Sequence, residues 1–213
     1  LAVGLVRRAP WAAQAQAIDA ARWRQDRAGS RGQAMTDYVL GIDIGIKGGI
    51  ALLIETGALI EVFDMPCLHD GPKNRRTINA PLLAEIVYKS HARTAFVERV
   101  GPRPGEGVGG AFAFGDSKGV IRGVLAGAAI PTVWITSPQW KRVIGIAPGK
   151  EGAKDAARAE AIRRWPSKAG RFALKNSDGL AESALIGVAG LLAFDLKVVH
   201  GPRVNSTEAG AAA

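Results

Sequence analysis

Hydrophobic and polar positions change rhythm along the chain, entering strand-length apolar runs near residue 38 and helical stripes after residue 79. The runs "YVLGIDI" and "GGIALLIE" flank a glycine turn, and "ALIEVFDMP" after Thr56 and Gly57 predicts a third strand, so residues 38–66 read as an antiparallel meander. "HDGPKNRRTI" breaks the pattern and reads as a polar, basic loop. In "NAPLLAEIVYKSH" apolar positions return at helical spacing behind a cap-forming Asn79 and a first-turn Pro81, which predicts a helix. "TAFVERV" is a short buried strand ending on Glu98, and the glycine-rich connection "GPRPGEGVGG" leads from it into a long helix over residues 110–128. "IPTVWIT" is a fifth strand. "SPQWKRVIGI" is a short helix, "KEGAKDAARAEAIRRW" a basic amphipathic helix and "SDGLAESALIGVAGLLAF" a final apolar helix. The pattern is that of a compact α/β domain.

Length and composition set bounds on this picture. At 213 residues the chain has the size of one ordinary domain with a real core. The excess of 28 Lys and Arg over 19 Asp and Glu gives +9, a balance that favours a polyanionic partner, nucleic acid first. A single cysteine, Cys67, excludes an internal disulfide and multi-cysteine zinc patterns and points to a reducing compartment. That compartment is expected to be a cytoplasm, ahead of an organelle matrix. His69, His91 and His200 show no ligand spacing, and no apolar run approaches the roughly 20 residues of a membrane span. Residues 1–34 carry six Arg against two Asp and meet "MTDYVLGID" at Met35. They are read as an N-terminal extension upstream of a start at Met35, with a basic arm on nucleic acid or an Arg-rich presequence as the alternatives. The expected plan is an extension over 1–34, one domain over 35–200 and a disordered tail over 201–213.

The candidate chemistry lies in carboxylates at element ends. Asp43 closes the first strand, Glu98 closes the fourth, and Asp178 and Glu182 stand on the last helix. Positions 178 and 182 are i and i+4 and share one helix face. Four carboxylates brought together repel one another, so such a set makes physical sense chiefly around a cation. Hard oxygen donors without Cys or His select Mg²⁺ or Mn²⁺ over zinc, and two such ions can activate a water and steady the leaving oxygen of a phosphodiester. Each acid also fits a plain structural role: Asp43 as a turn residue, Glu98 as a strand-end ion pair with Arg99, Asp178 as a helix cap. Glu182 fits one less readily, because its neighbours in "GLAESALIG" are small or apolar.

The order "GIDIGIKGGIAL", "AFVERV", "KNSDGLAESALIG" resembles the RuvC family of Holliday junction resolvases, most closely its phage-type and mitochondrial-type branches, over roughly residues 38–195. Between these pieces, "FAFGDSKGVIRGVL", "ITSPQWKRVIGI" and "GKEGAKDAARAEAIRRWP" are similar to the family's long helix, its strand-to-helix passage and its basic helix. The resemblance implies a ribonuclease H-like fold: a five-stranded mixed sheet, an antiparallel meander plus two parallel strands, flanked by helices. It implies Asp43, Glu98, Asp178 and Glu182 as metal ligands and catalytic residues, with Mg²⁺ as cofactor and Mn²⁺ as a substitute. It implies branched DNA, four-way junctions above all, as substrate and a homodimer as the acting form. Lys141 and Lys154 fall where the family has lysines near the DNA backbone, Lys118 lies on the helix facing the groove, and Arg142, Lys150 and Arg158 join them as DNA-binding candidates; each also fits an ordinary surface charge. The bacterial resolvases place their last two acids three apart and usually end on Asp. Here the spacing is four and the last acid is Glu182. Cleavage of flap DNA or RNA, and junction binding without cleavage, are the alternative functions. The actin-like ATPase reading fails, because Ile46 and Lys47 replace the small hydroxyl residues of its phosphate loop and 213 residues leave no room for a second lobe.

Overall fold

The computed structural model describes residues 37–69, 76–101, 105, 107–147 and 152–194. Strand β1 (Tyr38–Asp43) turns at Gly45 and Gly48 into antiparallel β2 (Gly49–Ile54), which pairs in turn with antiparallel β3 (Leu59–Asp64). Strand β6 (Thr94–Arg99) runs parallel to β1, and β7 (Thr132–Thr136) runs parallel to β6. The sheet order is therefore β3-β2-β1-β6-β7. This is the expected five-stranded mixed sheet, an antiparallel meander plus two parallel strands, and its apolar runs without alternation follow from helices covering both faces.

Helix α1 (Ala80–Ser90) begins as its sequence predicts, with the Asn79 side chain accepting a 3.1 Å hydrogen bond from the backbone N–H of Leu82. Together with α2 (Val108–Gly127) it covers one face, where Leu40, Ile42, Ile50, Leu52 and Val97 pack against Leu83, Ile86, Ile121 and Leu125. The other face carries α3 (Ser137–Ile144), α4 (Ala153–Arg164), the short α5 (Ala169–Phe172) and α6 (Asp178–Ala193). There Val39, Leu53 and Phe96 meet Trp140, Phe172, Leu185 and Ala189.

Three local features depart from the sequence reading. Part of the expected loop "HDGPKNRRTI" is strand: β4 (Cys67–His69) and β5 (Arg76–Ile78) pair antiparallel as a separate ribbon. A 3-10 turn (Pro166–Lys168) and α5 fill the passage from α4 to α6. Strand β6 also runs one residue past Glu98, to Arg99. The expected extension over 1–34, the tail over 201–213, Lys150 and the side chain of Lys154 lie outside the described residues.

Candidate functional site

Parallel pairing sets the first two carboxylates side by side. Ile42 on β1 is in register with Val97 on β6, so Asp43 and Glu98 are the next residues along each strand. Ile42 and Val97 point into the α1–α2 core, while Val39 and Phe96 point into the opposite one. Alternation along the strands therefore turns both acids toward α6. Glu98 is only 8% exposed, and its Oε1 accepts a 3.1 Å hydrogen bond from the indole Nε1 of the fully buried Trp140. Trp140 is held by the first turn of α3, where Gln139 Oε1 accepts from the backbone N–H of Thr136 at 2.9 Å. Sequence reasoning placed "PQWK" near DNA but missed this role; the sign was an indole N–H, a donor that usually finds a partner when its ring is buried.

Glycine brings the third element to the same corner. Gly48 and Gly179 form a parallel bridge between the β1–β2 turn and the start of α6. A Cβ on Gly179 would lie 2.2 Å from the Lys47 carbonyl oxygen, and one on Gly49 would lie 2.7 Å from the Gly179 carbonyl oxygen. One helical turn on, a Cβ on Gly41 would lie 2.1 Å from the Ser183 carbonyl oxygen. Backbone thus touches backbone. Asp43 is the register partner of Gly49, which touches Gly179, the residue after Asp178. Asp178 opens α6 and Glu182 follows one turn later, both half-buried. The opposite end of β1 shows what a purely structural acid looks like there: buried Asp37 is bridged to Arg93 at 3.2 Å.

Arg158 on α4 departs from its expected place on a DNA surface. Its side chain is 13% exposed; Nη1 donates to Asp178 Oδ1 and, at 3.0 Å, to the Lys175 carbonyl, while Nη2 donates to Asp155. The guanidinium thus serves the start of α6. Lys118 donates to the Val100 carbonyl at 3.1 Å and lies 5.6 Å from the Trp134 ring centroid, and Lys141 lies 5.2 Å from that of Trp140. Arg142 is exposed in the last turn of α3. Cys67 is no candidate nucleophile, since burial pushes its thiol above the ordinary value despite the nearby Arg76.

Among the described residues, no group of three or more His, Cys, Asp or Glu is gathered closely enough to hold a metal ion. The donor chemistry at this corner is nevertheless all carboxylate, which suits a hard divalent ion. Asp43, Glu98 and Glu182 fit such an ion by donor type and by the elements that carry them. Asp178 is already neutralised by Arg158.

The sequence matches no protein-family model and no curated protein. Among solved structures similar to the chain, RuvC from T. thermophilus in complex with Holliday junction substrate has a TM-score of 0.47 and 17% identity, covering 73% of this chain and 93% of that one. A second Thermus thermophilus RuvC structure has a TM-score of 0.46 and 16% identity, covering 72% and 94%. Likeness at this level carries no weight for function, which has to be read from the residues themselves.

Proposed function

We propose that the chain is a Mg²⁺-dependent endodeoxyribonuclease that cuts branched DNA, four-way junctions first, as a homodimer in the cytoplasm of a bacterium or phage-infected host. The observation that carries the reading is the register that sets Asp43 beside Glu98 on the face closed by the acidic start of α6. In this reading Asp43, Glu98 and Glu182 hold the ion, which supplies an activated water and charge neutralisation at the phosphate when bound. Trp140 keeps the Glu98 carboxylate turned into the site through its indole hydrogen bond. Asp178 is the fourth candidate ligand, and its carboxylate must leave Arg158 to take that part. Lys141, Arg142 and Lys118 contact phosphates without reading sequence, so affinity falls steeply with salt. A dimer sets two such sites on opposed strands, as paired nicks across a junction require.

A second reading, junction binding without cleavage, is favoured by the Arg158–Asp178 pair and by the lack of a gathered set of ligands among the described residues. Labelled four-way junction, duplex, flap and RNA substrates incubated with Mg²⁺ or with EDTA separate the readings. The nuclease reading expects junction cleavage with Mg²⁺, none with EDTA, and a loss of at least about a hundredfold in Asp43→Asn with binding retained, a metal ligand mattering more than its outer partners. Tight junction binding with no cleavage under any divalent ion would establish the second.

A further inference from the structure

Glu98 and Asp178, two of the four candidate acids, are held in different ways. Glu98 accepts from the neutral indole of Trp140 and keeps its full charge for another partner. Asp178 is engaged by a full cation, the Arg158 guanidinium. That guanidinium reaches over from α4, whose Ala157 and Ala161 are buried in one core with Ala181, Ala184 and Leu185 of α6, so its root is fixed. Through Nη1 it donates to Asp178 and to the Lys175 carbonyl, and through Nη2 to Asp155 on its own helix. The two carboxylates differ in setting: the Asp178 side chain is 19% exposed and that of Asp155 74%. Asp178 is also the first residue of α6, where the N–H groups of the helix end repel a cation and the Ser177 side chain makes no capping hydrogen bond. A guanidinium stays at that end because Asp178 holds it there.

We infer that Arg158 is a latch on Asp178: in the DNA-free protein it keeps this carboxylate from the ion, and a phosphate of the substrate draws it off, so that metal and DNA binding reinforce each other. The inference rests on the metal-dependent reading above. Phosphate oxygens accept the planar fork of arginine as carboxylate oxygens do, so a phosphate arriving at α4 competes for the same N–H groups. Opening the latch costs little. Asp155 and the Lys175 carbonyl go on accepting from the guanidinium when Asp178 lets go, and no buried cation is stranded. Released, Asp178 adds its negative charge to the site and favours a divalent cation there. The coupling runs both ways, since whatever factor DNA adds to metal affinity the metal adds to DNA affinity. Arg158 is thus a positioning residue that acts through Asp178.

The test is Mn²⁺ binding to the DNA-free protein, read from the free-ion signal in electron paramagnetic resonance, in wild type, Arg158→Gln, Asp178→Asn and the double variant. Arg158→Gln should tighten Mn²⁺ binding about fivefold or more, the lower end of couplings between sites. In the Asp178→Asn background the same change should have no effect, because the latch has nothing left to hold. Tightening of equal size in both backgrounds would reduce Arg158 to a diffuse charge, and unchanged or weaker binding would make it a structural clasp; either overturns the latch. Melting curves check folding. If Arg158→Gln does not fold, Asp155→Asn decides, since it alters an exposed side chain and leaves Arg158 to Asp178. Mn²⁺ binding should then weaken, again only where Asp178 is present, and no such weakening overturns the latch. Junction affinity by fluorescence anisotropy should rise when Ca²⁺ replaces EDTA at constant ionic strength, by a larger factor in wild type than in Arg158→Gln; equal factors overturn the coupling to DNA. If neither wild type nor Arg158→Gln binds Mn²⁺, the metal-dependent reading itself fails, and the latch with it.

Discussion

On one face of the sheet α6 meets β1 and β2 through glycine, backbone against backbone; on the other, α1 and α2 meet Leu40, Ile42 and Val97 through interlocking aliphatic side chains. The second kind of contact has slack, because side chains change rotamer and helices shift by fractions of an ångström when a methyl group is lost or gained. The first has none. Of the two, the rigid face is the one toward which Asp43 and Glu98 turn, and α6 itself carries Asp178 and Glu182. A set of carboxylates drawn from three elements needs those elements locked in relative position, and close glycine contact supplies that lock.

Changing one methyl group on each face gives the strongest test. Gly41→Ala would drive a Cβ to 2.1 Å from the Ser183 carbonyl oxygen and 2.6 Å from the Gly187 nitrogen, both backbone atoms that no rotamer can move. We expect a loss of roughly 3 kcal/mol or more in urea unfolding. On the aliphatic face Ile121→Val removes a methyl from a fully buried residue and should cost only about 1 kcal/mol. Equal losses in the two variants would abolish the contrast.

Two tryptophans sharpen it at the next level. Trp140 belongs to the glycine face and donates to Glu98; Trp134 on β7 is half-buried against the aliphatic core. Trp140→Phe leaves a buried carboxylate without that donor and should cost about 1.5–3 kcal/mol, the range for a hydrogen bond to a charged group. In the proposed nuclease it should also lower the cleavage rate more than junction affinity. Trp134→Phe should cost less, under about 1.5 kcal/mol, because a half-buried ring loses fewer contacts and keeps an aromatic in place where packing can adjust. The order is checked by the same unfolding curves.

The legible part of this molecule was its local part. Apolar runs of strand length, the Asn79 cap and the acids closing strands announced β1, β2, β3, β6, β7 and the principal helices, because each depends on neighbours in sequence. The ribbon of β4 and β5 was hidden, since three-residue strands carry too few positions to show alternation. Gly41 lies in mid-strand, where glycine ordinarily weakens the strand, and only the nearness of Ser183 and Gly187 explains it. Arg158 looked like one more basic residue on a basic helix. Its partner Asp178 is twenty positions away, and no spacing rule joins them.

Helix α4 packs on the rigid face through Ala157 and Ala161, yet its outer side is ordinary helix surface, and there the smallest effect is expected. Glu160 receives hydrogen bonds from Arg163 at 2.7 Å and from Arg164 at 2.6 Å on the same helix. The Arg163 bond is the largest influence on its carboxyl; burial pushes the other way and Arg164 adds to the lowering, so the group sits below its ordinary value of 4.5. A carboxyl whose folded value is depressed contributes stability that is complete above its unfolded value and is lost as pH falls through the folded one. Glu160→Gln should therefore lower stability by less than about 1 kcal/mol at pH 7, in line with solvent-screened surface pairs. The difference between variant and wild type should shrink in 1 M salt and close as pH falls through the depressed folded value. Paired melting curves at neutral and acid pH measure it. A difference that persisted undiminished at acid pH would mean that the charge of Glu160 is not what stabilises this helix, since the isosteric Gln keeps its packing.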